Sequence, residues 1–141
     1  YQLRGEDADS SNTRRVLKGL LAGGITLGAA AVFPENLVFT LLTVVLGVIL
    51  GVYPGMALAN PEEGRPALEW GVAVLITVVA LTGITVSPLF LTGAFLLHCA
   101  WSLLHKFTAL GDGFPEGFPG FSSTYDLVLA GFSLFVWSTG A

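Results

Sequence analysis

Five apolar runs follow one another along this chain, each near the roughly 20 residues that a helix needs to cross a hydrocarbon core, and proline-containing breaks separate them. The breaks are Pro34-Glu-Asn36, Asn60-Pro-Glu-Glu-Gly-Arg-Pro66, Ser87-Pro88 and a loop rich in Gly, Phe and Pro that follows Lys106. Proline beside a polar or small residue marks helix termini, because the ring removes an N–H donor and fixes φ. These signals place spans near residues 16–33, 37–59, 68–86, 88–106 and 124–139. A single helix across Ser87-Pro88 would be too long for one crossing even with tilt. The expected fold is therefore all-α: an integral membrane bundle of about five transmembrane helices, multi-pass, with the lipid bilayer as its partner.

Composition agrees with that reading. Hydrophobic residues make up 53% of the chain and charged residues 11%, against about 25% charged in an ordinary domain. The six basic residues are too few for a nucleic-acid surface. Cys99, the lone cysteine, has no partner for an internal disulfide. Residues 1–13 read as a flexible polar tail and residues 14–141 as a single membrane domain. With the N-terminus cytoplasmic, Arg4, Arg14, Arg15, Lys18, Arg65 and Lys106 all fall on the inner side, as the distribution of basic residues in membrane proteins requires. Thr13-Arg-Arg-Val-Leu-Lys18 also looks like a twin-arginine export signal, a reading outweighed by the second apolar run that follows at once.

Gly47, Gly51 and Gly55 recur every four residues on the second run, and Gly19/Gly23 and Gly24/Gly28 repeat the spacing on the first. Such ridges let helices approach closely in lipid, within one chain, in a homo-oligomer or in a larger membrane complex. Pro54 is expected to kink the second helix and free a backbone carbonyl.

The chemistry-bearing residues gather on the fourth run. His98 and His105, the only histidines, are seven residues apart, about 10.5 Å along a helix, with Ser102 between them on the same stripe. Asp126 opens the fifth run and Glu69 the third, so the expected topology brings all five toward one inward-facing polar site. Ionisable groups at membrane depth face a bundle interior or a water-filled cavity. Each also has a plainer role: His98 as a neutral ring bonded to a carbonyl, His105 as an interfacial anchor, and Asp126 and Glu69 as first-turn carboxylates favoured by the helix dipole.

The stripe resembles a pattern found in small uncharacterised membrane proteins of bacteria and archaea. There a helix of the form His-x3-Asp-x2-His precedes a proline-containing loop and an aromatic-Asp pair. Here the positions read His98, Ser102, His105 and Tyr125-Asp126, and Val52-Tyr-Pro-Gly-Met-Ala57 and Leu68-Glu69 look like earlier segments of the same family. Ser102 stands where the pattern has Asp, which removes one potential ligand. The resemblance supports a site without naming a reaction.

Histidine and carboxylate suit a transition metal, so His98, His105 and Asp126 are the candidate ligands, with Ser102 and Glu69 as polar neighbours. Rings at i and i+7 are too far apart to share one ion comfortably, which favours one histidine with Asp126. Two functions follow from the inward-facing site, metal binding or proton handling. The alternative is a structural or accessory subunit of a larger membrane complex, with a histidine ligating haem or chlorophyll. Whether the chain is an enzyme stays open at this level. Phe114, Phe118 and Phe121 in the loop are expected either to cover the histidine stripe or to form an interfacial hairpin.

Overall fold

The computed structural model describes residues 3–140, with side chains from Ser11 onward. Its helices are α1 (Leu3–Ala30), α2 (Glu35–Leu50), α3 (Val52–Ala59), the single turn α4 (Pro61–Gly64), α5 (Pro66–Thr85), α6 (Leu89–Phe107) and α7 (Phe118–Thr139), with a 3-10 turn at Ala109–Gly111.

Proline sets most of the starts. α2 begins directly after Pro34, α4 and α5 carry proline in their first turn, and α6 follows Pro88; in each case the missing N–H falls where a helix has no use for one. Between α4 and α5, Arg65 takes a left-handed conformation with φ 48°, which ends the α4 turn before α5 begins at Pro66. α2 and α3 form one interrupted helix. Pro54 has no N–H to give the Leu50 carbonyl, and the helix breaks at Gly51. α7 starts at Phe118, earlier than the sequence pattern placed it, so half of the Gly/Phe/Pro loop is helical.

α6 is central, packing on α7 along one side and α5 along the other, while α1 covers α7 and α2 lies against α5. Thr92 meets Ser133, His98 meets Asp126 and Ser102 meets Ser122, so α6 and α7 run antiparallel. α5 is antiparallel to α6 as well, with Glu69 at His105 and Gly83 at Leu91. The apolar core holds Leu42, Leu46, Ile76, Leu91, Phe95 and Leu129. Beside it lies an internal seam of polar residues: Thr92, His98, Ser102 and His105 from α6, Ser122, Ser123, Asp126 and Ser133 from α7, and Glu69 from α5, all buried. The outer helix faces carry large apolar side chains, among them Ile25, Val48, Leu75 and Val86.

The five-span membrane bundle is corrected here. Among the described residues two helices are long and apolar enough to cross a membrane, Glu35–Ala59 with mean hydropathy 2.3 and Pro66–Thr85 with 2.0. The best windows of these two are 33% and 22% buried. α6 and α7 fall short because the polar residues of the seam dilute their apolar content, and α1 because its N-terminal half is charged and polar, down to Arg14, Arg15 and Lys18. With three of five spans lost, the multi-pass localisation, the cytoplasmic N-terminus and the bilayer as partner lose the count they rested on. What the helices build is a compact bundle closed around a polar interior.

The glycine ridge is corrected too. A Cβ added at Gly47 or Gly55 would meet nothing within 4 Å, and at Gly51 only carbonyls of its own helix. Gly47, Gly51 and Gly55 therefore pack no helix here, and nothing in the bundle supports an oligomer or a larger membrane complex assembled through them. Of the expected ridges, Gly19/Gly23 does pack closely, on α7, while Gly24 and Gly28 face open space; Gly83, outside any ridge, is a further close approach. A Cβ at Gly19 would lie 2.8 Å from the Phe121 carbonyl oxygen, at Gly23 2.8 Å from Val128 Cγ1, and at Gly83 2.9 Å from the Leu91 nitrogen. Since backbone cannot move aside, Gly83→Val is expected to destabilise by about 1–3 kcal/mol through overpacking of the α5–α6 seam. Gly47→Ala, on an open face, is expected to gain roughly 0.5–1 kcal/mol from helix propensity. Thermal unfolding by circular dichroism checks both, and a Gly83→Val protein as stable as wild type would overturn the seam.

Candidate functional site: two buried histidine–carboxylate pairs

Both histidines are inside the bundle, and each has its own carboxylate. His98 Nδ1 lies 2.7 Å from Asp126 Oδ2, and His105 Nε2 lies 2.8 Å from Glu69 Oε1. All four side chains are at most 2% exposed. α6 supplies both imidazoles because positions 98, 102 and 105 share one helical stripe. α7 and α5, flanking α6, supply one acid each.

The hydrogen bonds restrict where protons sit. His105 Nδ1 is 2.9 Å from the Trp101 carbonyl oxygen one turn back. A carbonyl only accepts, so Nδ1 carries hydrogen and donates. The contact between Nε2 and Glu69 then needs a proton of its own, held either on an imidazolium beside a carboxylate or on a carboxylic acid beside a neutral ring. Trp101 Nε1–H donates to Glu69 Oε2 at 2.9 Å, so both oxygens of Glu69 are engaged.

The His98–Asp126 pair is less complete. His98 Nε2, Asp126 Oδ1 and Tyr53 Oη are buried without a hydrogen-bond partner among the described residues. Burial pushes the Asp126 carboxyl above its ordinary range, opposed by the hydrogen bond and charge of His98 and by the Ser122 hydroxyl. Burial also raises the Tyr53 phenol, with the Ser102 and Ser122 hydroxyls acting in the other direction. Ser102 Oγ–H donates to Ser122 Oγ at 3.1 Å. The Cys99 thiol is raised by burial and, after it, by the Asp126 charge, and it donates to the Ser123 carbonyl at 3.3 Å, the setting of an inert thiol.

Tyr53 joins the two pairs. It is 1% exposed, and its ring centroid lies 5.7 Å from His98, 4.5 Å from His105, 5.4 Å from Phe114 and 5.3 Å from Phe118. Phe114 and Phe118 thus cover the aromatic hub from the loop side, while Phe121 stacks on Tyr125 with centroids 6.1 Å apart. Sequence reasoning did not single out Tyr53, Trp101 or Ser122 as part of the site. The one available signal was a tyrosine directly before the proline that breaks an otherwise apolar helix.

The proposed ligand set His98, His105 and Asp126 does not meet at one point, since the histidines turn to different acids. Among the described residues no three His, Cys, Asp or Glu side chains gather as a metal-binding group. The inward-facing site of a polytopic membrane protein is corrected to a closed interior. His98 has no room for a haem or chlorophyll, since the void it borders is about 10 Å³, and His105 has no free nitrogen for one, since Trp101 and Glu69 engage both. The accessory subunit of a membrane complex is corrected together with the five-span bundle it assumed, since two helices among the described residues meet the length and apolarity of a span. A larger cleft of about 550 Å³ adjoins His105 between Arg15, Lys106, Asp112 and Glu116. Its cations and anions balance, and Arg15 already pairs with Glu116 at 3.1 Å.

No family model, curated protein or solved structure matches the chain. The resemblance to small multi-span membrane proteins through His98, Ser102, His105 and Tyr125-Asp126 is corrected, since two helices rather than five among the described residues meet the length and apolarity of a span, and the role of the site rests on its own geometry.

Proposed function

We propose that this chain is a helical-bundle module, acting without a catalytic step, whose working element is the ionisable interior. α6 is latched to α5 by Glu69–His105 and to α7 by His98–Asp126, and the protonation of Asp126 governs how tightly α6 and α7 hold together. The observation that carries this reading is the pair of carboxylate contacts, at 2.7 Å and 2.8 Å, made by one helix to both of its neighbours. Burial supports a structural role over turnover: both imidazoles are at most 2% exposed, and the His105 ring beside the 550 Å³ cleft already has both nitrogens engaged, by Trp101 and Glu69.

The direction of the pH response follows from Asp126. Its native pKa is raised above the ordinary value of 3.8, so between that value and the native one the folded state holds more protons than the unfolded state. Stability is then full at low pH and declines as pH rises through the window, by at most about 1.4 kcal/mol per pH unit for one proton. Asp126→Asn keeps an oxygen to accept from His98 Nδ1–H but cannot titrate. Thermal unfolding of wild type is expected to lose stability above about pH 4, and the Asn variant is expected to be flatter over the same range. Parallel curves for the two proteins would sink the latch reading.

A further inference from the structure

His98 points Nδ1 at Asp126, which leaves Nε2 on the opposite edge of the ring, buried and unpartnered. His98 also borders a small void of about 10 Å³, whose walls include Leu50, Tyr53, Pro54, Glu69 and Trp101. The size matches one water and excludes anything larger. We propose that the void binds a single structural water that bridges His98 Nε2 to α5 and to the α2–α3 break.

Three features favour water over an apolar gap. Nε2 is an orphaned polar atom, and a buried polar group without a partner costs free energy that a bridging water removes. Leu50, on the wall, has a carbonyl that Pro54 deprives of its helical donor, so an acceptor is ready for one hydrogen of the water. Glu69 uses one lone pair on each oxygen for Trp101 and His105, and further lone pairs remain on both.

Water also suits both forms of the neighbouring pair. When Asp126 is ionised, His98 Nδ1–H donates to it and Nε2 is a bare acceptor, which the water satisfies by donating. When Asp126 is protonated, its O–H donates to Nδ1, the ring hydrogen moves to Nε2, and the water accepts. A metal ion would bind only the first form, since it needs the Nε2 lone pair. The bridge thus keeps the core satisfied through the change that the latch reading invokes.

This inference deepens the latch reading, and the two fail separately. The test is nuclear magnetic resonance of the full chain with 15N-labelled histidine. The expected result is a magnetisation-transfer peak between bound water and the His98 ring protons, with an Nε2 shift typical of a hydrogen-bonded nitrogen. Ala73, also on the void wall, supplies the control. Ala73→Val fills the space, and the water peak is expected to disappear while the Asp126-dependent pH slope persists. A folded wild-type protein with no such peak and a free Nε2 overturns the bridge, whatever the pH slope does. About one equivalent of transition metal by elemental analysis, lost in His98→Ala, overturns it as well and assigns the void to an ion.

Discussion

Tyr53→Ala is expected to cost about 3–5 kcal/mol of stability, the range for removing a large buried aromatic, whereas Tyr53→Phe is expected to stay within about 1 kcal/mol of wild type. The ring carries the difference. It is enclosed by both imidazoles and by Phe114 and Phe118, so truncation opens a cavity at the junction of α3, α6 and the start of α7. The hydroxyl makes no hydrogen bond of good geometry among the described residues, with the Ser102 and Ser122 hydroxyls acting on it only weakly against burial, so losing it costs little. Thermal and denaturant unfolding of the two variants measure the contrast. A Phe variant as damaged as the Ala variant would show that Oη makes a hydrogen bond that the core depends on.

Glu69→Ala is expected to be equally severe, about 3–5 kcal/mol, because breaking a buried pair strands the partner. Here it strands two, the Trp101 indole N–H and the His105 imidazole. Glu69→Gln, which keeps an acceptor oxygen, is expected to lose less. Since Glu69 and His105 act as a unit, the Glu69→Ala/His105→Ala double variant is expected to be less damaged than the sum of the single variants. Strict additivity would mean that the 2.8 Å contact carries no coupling.

Local features were legible in the residues themselves. Pro34, Pro61, Pro66 and Pro88 sit at helix starts, and Pro54 adjoins the α2–α3 break, because proline acts on its own turn whatever packs around it. The shared face of His98, Ser102 and His105 follows from helical periodicity alone. The membrane reading failed for a related reason. Hydropathy summed along a run does not register which face a polar residue occupies. The serines, histidines and acids of α6 and α7 converge on one internal seam, and two helices, not five, meet the length and apolarity of a span.

The glycines show the same divide. Gly19 and Gly47 have equal standing in a four-residue repeat, yet one lies against the Phe121 carbonyl and the other faces open space. Spacing marks a ridge without naming its neighbour. Tyr53 was hidden for that reason as well, since its importance lies in contacts with α6 and α7, far from it in sequence.

The amino-acid sequence by itself determined the proline-marked helix starts and the stripe on α6, because these depend on φ restriction, missing N–H donors and a 3.6-residue period; it did not show that α1 runs back to Leu3, through the stretch expected as a flexible tail, or that α7 begins at Phe118. Only the tertiary structure decided that His98 meets Asp126, that His105 meets Glu69, and that Tyr53 lies between them. Those pairings depend on α6 being packed between α5 and α7, and partner choice across helices is set by how the whole bundle excludes space.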